Sequence, residues 1–418
     1  MRISAEFPPG PADPGQVNLF DAEFYATGDP HPVWAAMRSS APLHRQVLPD
    51  GRVFYSVTRY RDACQVLGDH HAFTSERGSL LNQLGHGDAA AGMMLVATDP
   101  PRHGALRRPL NRMFTPRAVE HCADRIRDAV RMVLAPAEHG EAWDLAHQAT
   151  ILPMAVAAVL MNVPERDWAQ LSRWTSMAAA PDDPAYRIGS ANATLAIAHH
   201  GLFEYFSRLQ RDRAGTAGDD LIRHLMTMSA GDRPLSREEV IVNCYSLLLG
   251  ANATTPHTVT GTVLALIEHG DQYRAASTEP PLVPGLVEEG LRWTSPANSF
   301  LRHATRRTRL SGGWVEEGDA VAVWIGSANR DEDVFPHPYR FDIRRTDNRH
   351  IAFGHGAHYC LGSALARVTL RVFFEEALRL VEEFELAGEP VQLKSNFIAG
   401  LTSLPIQTRL SEGVLSAR

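Results

Sequence analysis

The sequence predicts a mainly α-helical fold with small β-sheets, an α+β chain, and three observations support it. Long helical patterns run from about residue 115 to 293. Short β-like stretches lie near 43–58 and again from about 301 to 325. Ser236 and Glu239 stand at capping-box spacing ahead of an apolar stretch from Val240 to Ile267, which predicts one long central helix there.

Taken in order, residues 1–20 are rich in Pro and Gly and lack the apolar core of a signal peptide, so they read as an extended arm that targets the chain nowhere else. The longest apolar run, Ile151 to Met161, contains Pro153 and falls well short of the roughly 20 residues that span a bilayer. It reads as a buried helix, and no membrane association is expected. Residues 85–92, 178–183 and 214–219 read as loops rather than linkers between domains. The 418 residues carry a net charge of -7, which argues against nucleic acid or an anionic membrane as partner. Cys64, Cys122, Cys244 and Cys360 are scattered without CxxC pairs, so they suggest neither a zinc ribbon nor a disulfide framework. A reducing cytoplasm fits that usage best.

From Trp324 to Gly362 the chain runs for about forty residues without helical periodicity, and so long an irregular stretch is usually functional. It ends in FGHGAHYCLGSALAR, Phe353 to Arg367, where Gly354, Gly356 and Gly362 bracket Cys360 and a helical pattern follows. Glycines there permit backbone geometries that a side chain would block. Such a turn can present the Cys360 sulfur to a flat cofactor, its charge steadied by backbone N–H groups and the next helix N-terminus. Two other readings stand beside it: a buried, inert cysteine, or a zinc site made by His355, His358 and Cys360. The zinc reading lacks a matching ligand pair elsewhere.

FGHGAHYCLG resembles the FGxGxHxCxG signature of the cytochrome P-450 superfamily at every fixed position. Glu289 and Arg292 in EEGLRWTSP match the family's ExxR helix, and Pro338 to Phe341 match its PxRF-type motif, in family order. The resemblance covers nearly the whole chain and implies one domain over 1–418 with the family's fold, a long central helix lying over haem b. It implies Cys360 as the iron's thiolate ligand, with Phe353, Gly354, Gly356, Gly362 and Ala251 against the haem. It also implies that Glu289, Arg292 and Arg340 form a buried charged network holding the cysteine loop.

Two haem carboxylates need cationic partners. His103 and Arg107 have helical i, i+4 spacing and match the family's HxxxR helix, while Arg302 and His358 match further propionate contacts. Arg102, Arg107, Arg108, Arg112 and Arg117 make one stretch basic on an acidic protein, where an acidic ferredoxin or flavodoxin donor is expected to dock. On the central helix, LLLGANATTPHT stands where the family reads AGx(D/E)TT. Gly250 and Ala251 leave space for haem and oxygen, and Thr254 aligns with the threonine that serves bound dioxygen. Ala253 replaces the usual acid, so protons must come through Thr254, Thr255, Asn252, water or the substrate. Pro256 is expected to bend the helix.

Thiolate ligation favours O–O cleavage and oxidation of unactivated carbon. The first expectation is a monomeric monooxygenase acting on a hydrophobic or mid-sized natural product. Ala253 motivates a second: oxidative C–C or C–N coupling, or desaturation, without oxygen insertion. A sensor of haem or gas is the non-enzymatic alternative. Pocket segments implied by the resemblance are Met93, Met94, Leu95 and Val96; Leu247 and Gly250; Ala297, Asn298 and Phe300; and Phe397 with Ile398.

Overall fold

A computed structural model describes residues 13–115, 119 and 122–411. Of the expected arm, residues 1–12 lie outside the described residues, as does Arg117, and Pro14–Gln16 form a short 3-10 turn.

The N-terminal part folds as α1 (Pro30–Ser40), the hairpin β1 (Leu43–Val47) and β2 (Val53–Val57), α2 (Tyr60–Gly68), β3 (Phe73–Thr74) and α3 (Arg102–Asn111). Next come α4 (Ala123–Leu134), β4 (Trp143–Asp144), α5 (Ile151–Met161), α6 (Trp168–Ala179) and α7 (Ala191–Arg213). Then follow α8 (Arg237–Asn252), α9 (Thr255–Glu268), α10 (Val283–Thr294), β5 (Ser299–Ala304) and β6 (Ala320–Trp324). The chain closes with α11 (Ser363–Leu380), β7 (Val381–Leu386) and β8 (Pro405–Leu410). A five-stranded sheet has the order β1-β2-β6-β5-β3, and a second sheet runs β7-β8-β4. Strand β6 lies parallel to β2 and antiparallel to β5, and all five of its residues, Ala-Val-Ala-Val-Trp, are buried. An unbroken apolar run is what a strand covered on both faces requires.

Two large apolar clusters make up most of the core. One joins α4, α5, α9, α10 and α11 to β7 and β8. The other joins α3, α5, α6, α7 and α8. The run Ile151–Met161 is a mostly buried helix, and among the described residues no helix is long and apolar enough to cross a membrane. Two loop boundaries move. Ala178 and Ala179 complete α6, so that loop begins at Ala180, and the irregular stretch after Trp324 contains a short helix, Ile325–Ala328.

The single long central helix is corrected to two. The capping box forms as expected, with Glu239 N–H donating to Ser236 Oγ at 3.2 Å and Ser236 N–H to a Glu239 carboxylate oxygen at 2.8 Å. The helix then stops at Asn252 and restarts at Thr255, with Thr254 off helical geometry at φ −124°. Pro256 supplies the reason. It has no N–H to give the carbonyl of Asn252 four residues earlier, and a proline is best tolerated in the first turn of a new helix.

Candidate active site

The cysteine loop is a closed hydrogen-bonded turn. Gly354 N–H donates to Ile351 O, and Cys360 N–H to Phe353 O, each at 2.8 Å. Gly354 and Gly356 have φ of +75° and +72°, the left-handed region that disfavours side chains. Gly356 also abuts the end of α2, where a Cβ would come within 2.7 Å of Gly68 Cα. Gly362 has ordinary backbone, but a Cβ there would meet nothing within 4 Å. Its N–H instead points at the half-buried Cys360. Burial pushes the Cys360 thiol up, against the pull of that N–H and of the Arg107 and Arg367 charges. Those three are the groups that would steady a thiolate. His355 is exposed beside Gly68, whereas His358 turns to Ser75, so the three zinc candidates do not converge.

A buried network anchors the loop. Glu289 and Arg292 are fully buried and bonded twice at 2.8 Å. Arg292 also donates to the carbonyls of Asn329 at 3.0 Å and Pro338 at 2.8 Å, and Asn329 Oδ1 accepts from Ile351 N–H at 2.8 Å. The α10 pair is thus linked through Asn329 to the residue that begins the cysteine turn. The expected third member is corrected. Arg340 has an exposed side chain and contributes its carbonyl, while Arg345 donates to Glu289 at 3.1 Å. Arg340 N–H closes a turn on His337 O at 3.0 Å, and it is the next side chain, Phe341, that is buried.

His103, Arg107, Arg302 and His358 come together as one cluster. The His103 and His358 rings are 4.5 Å apart, His358 Nε2 lies 3.1 Å from Ser75 Oγ, and Arg107 donates to the Ala357 carbonyl at 3.3 Å. Burial, with the His358 and Arg107 charges, pushes His103 down to about 4, and burial pushes Arg302 down to about 10. Asp99 is the carboxylate among them. Burial pushes it up, but His358, Thr74 and the Ser75 N–H outweigh this and hold it at about 2.

These residues fit a haem. Arg302 is 4% exposed and donates to a backbone carbonyl, that of Leu301, while His103 Nε2 is buried with no hydrogen-bond partner. A buried cation calls for an acceptor, and so does the orphaned ring nitrogen in the tautomer protonated at Nε2. Propionate carboxylates are such acceptors, and the open space beside Gly362 and Gly250 leaves room for a flat group. Leu361, next to Cys360, packs on the cluster that contains Leu248 of α8, which brings the cysteine loop under the central helices.

At the helix break Thr254 Oγ1 donates to Gly250 O at 3.0 Å, and Thr255 begins α9. Asn252 Nδ2 donates to Leu248 O at 3.0 Å, leaving its buried Oδ1 unpartnered. Ala251 is half-buried, and Ala253 packs with Ala179, Ala180, Leu393 and Ile398, with Leu249 and Phe397 against them. Phe397 also meets Phe300 edge to face at 6.4 Å. Asn298 N–H donates to Phe397 O at 2.7 Å, and Ala297 bridges Ile398, so these four come together next to α8. Met94 and Leu95 are buried, Val96 is exposed, and Leu247 packs between α8 and its neighbours.

Several residues beyond the motifs matter. Asn243 donates to Met93 O and accepts from Leu95 N–H, both at 2.9 Å, strapping that segment to α8. Arg367 is bonded to Glu288 at 2.6 and 2.9 Å and lies over the Phe353 ring. It stands seven residues after Cys360 on the helix that follows the signature, so its position was a legible signal. The basic stretch is corrected in part. Arg102 turns to Gly92 O and Glu239, and Arg107 to the cysteine loop, leaving Arg108 and Arg112 exposed.

The model of the family described as cytochrome P-450 matches residues 195–409. Cytochrome P-450 NovI of Streptomyces niveus is 33% identical over 400 residues, 95% of this chain and 97% of that one. The cytochrome P-450 monooxygenase PikC of Streptomyces venezuelae is 35% identical over 391 residues, 91% of each. The crystal structure of OxyD, a protein of vancomycin-type antibiotic biosynthesis, superposes with a TM-score of 0.85 at 32% identity, covering 94% of this chain and 100% of that one.

Proposed function

The chain belongs to the cytochrome P-450 family and is an oxidoreductase, and from that premise we propose that it is a haem-thiolate monooxygenase of a hydrophobic or mid-sized natural product. Haem b is its cofactor in this reading, with Cys360 on the iron. His103, Arg107, Arg302 and His358 hold the propionates, and Glu289, Arg292 and Arg345 keep the cysteine turn in place. The observation that carries the reading is the cation cluster with unmet acceptor demand, set beside a cysteine turn anchored to a buried ion pair. Haem so held supplies binding and reductive activation of dioxygen.

The chain's own residues then have distinct tasks. Gly250 keeps the helix face clear, and the Thr254 hydroxyl, held by Gly250 O at a backbone break, is free to turn toward a bound ligand. Phe300, Phe397 and Leu249, backed by the fully buried Ile398, offer an apolar wall that favours a hydrophobic substrate and limits water. The exposed Arg108 and Arg112 suit an acidic ferredoxin or flavodoxin donor. The scatter of the cysteines along the chain, without CxxC pairs, suits a reducing cytoplasm.

The apolar surroundings of Ala253 favour one second reading, oxidative coupling or desaturation with fewer protons delivered from the protein. Two measurements separate the outcomes. A reduced carbon-monoxide spectrum of histidine-ligated type would refute thiolate ligation. With a substrate found by haem absorption shift, heavy-oxygen label in the product supports monooxygenation, and its absence supports coupling or desaturation.

A further inference from the structure

Behind the cation cluster lies an open cleft of about 520 Å³, lined by Glu76, Arg77, the glycine-containing turn 85–89 and His303. One layer of chain separates it from the propionate-binding groups. On β5, Arg302 and His303 are consecutive, so their side chains leave opposite faces of the strand. Ser75 bonds His358, while its neighbour Glu76 lines the cleft. The cleft is therefore separate from the haem site, yet built on the same two segments.

Its hydrogen-bonding demand is lopsided. Of the two carboxylates, Glu76 accepts from Asp99 N–H at 3.0 Å, and Asp88 accepts from Gln83 Nε2 at 2.9 Å and Ala90 N–H at 2.8 Å. The His303 side chain is 8% exposed, and its Nδ1 is buried with no partner. Arg77 is exposed and close enough to lower the His303 pKa, though burial is the larger cause. His86 adds another exposed imidazole. Among the described residues Arg77 makes no ion pair, and in the tautomer protonated at Nδ1 His303 presents a buried donor, so an anionic acceptor would serve both. Its volume is that of a pocket for a small organic molecule rather than for a water or an inorganic ion.

We propose that this cleft is a second ligand site, in which Arg77 and His303 bind the carboxylate of a small organic acid. The test uses the holoenzyme with an azole inhibitor on the iron, so that binding at the haem site is blocked. Succinate and benzoate are titrated calorimetrically, with inorganic phosphate alongside. Saturable one-to-one binding of a carboxylate is expected, weakened at least about tenfold by Arg77→Gln, since a charged hydrogen bond is lost. His303→Phe keeps the ring volume, removes the donor and is expected to weaken binding as well. A reduced carbon-monoxide spectrum of each variant confirms an intact holoenzyme. No saturable binding of either acid, equal affinity in both variants and the parent, or phosphate binding as tightly as the acids would each overturn the assignment.

Discussion

Replacing Gly356 by alanine tests whether the cysteine turn is fixed by packing or by backbone conformation alone. Gly354 provides the internal control, because both glycines have nearly the same φ, +75° and +72°. Alanine in that region costs about 1–2 kcal/mol at either position. The surroundings differ. A Cβ on Gly354 would meet His358 O at 3.7 Å, an ordinary contact, whereas on Gly356 it would meet Gly68 Cα at 2.7 Å and Leu67 O at 2.8 Å. Both obstacles are backbone at the end of α2, so the turn itself has to move, adding about 1–3 kcal/mol of overpacking. Gly356→Ala is therefore expected to lose roughly 2–5 kcal/mol. Gly354→Ala should lose only the conformational part. Guanidinium titration of each ferric holoenzyme, followed in the haem absorption band, gives the ranking, and the reduced carbon-monoxide spectrum reports whether the thiolate stays on iron. Equal losses in the two variants would refute the packing argument.

Three further outcomes follow from the same geometry. Arg345→Leu removes one partner of the fully buried Glu289, which keeps Arg292, and should cost about 1–3 kcal/mol, whereas the exposed Arg340→Leu should stay within ~0.5 kcal/mol; denaturant midpoints of the two compare them directly. Asp99 is held at about 2 in the folded protein, below its ordinary value near ~4, so its contribution is present above ~4 and lost as pH falls through about 2. Asp99→Asn should therefore reduce stability at neutral pH and flatten the acid limb in that window, as read by haem release against pH. Arg302→Met removes the buried cation that lacks a side-chain acceptor, and is expected to speed transfer of haem to an apomyoglobin acceptor about tenfold or more.

The cysteine turn was legible because its constraints are local. Positive φ at Gly354 and Gly356, and the short reach from Phe353 O to Cys360 N–H, are written in consecutive residues. Glu289 and Arg292 were legible for the same reason, being one helical turn apart. Arg345 was not, because its place in the network depends on the path of an irregular segment that reverses at His337, where φ is +48°. Asn243 and His303 were hidden in another way. Their value comes from segments far away in sequence, Met93–Leu95 for one and the turn 85–89 for the other, and no spacing rule connects them. The helix break lay between these cases: Pro256 was visible, but apolar helical patterns flank it on both sides, in 240–249 and 259–267, which favoured a single helix.

Ala253 brings the two kinds of information together, and its consequence runs against the motif. From sequence, restoring an acid at this position looks like a way to improve proton supply. In the folded protein Ala253 is 5% exposed and packs among Ala179, Ala180, Leu393 and Ile398. A carboxyl placed there faces apolar side chains, so burial would push its pKa up and leave it protonated at neutral pH. Without a new hydrogen-bond partner it would cost about 2–5 kcal/mol. Asn252 Oδ1, a buried acceptor without a partner, belongs to the preceding residue and leaves the chain in a different direction. Ala253→Asp is thus expected to lower the thermal midpoint and to leave the ratio of product formed to electrons consumed no better than in the parent. An unchanged midpoint together with improved coupling would mean that this side chain faces water at the helix break, and the apolar packing inferred around it would be wrong.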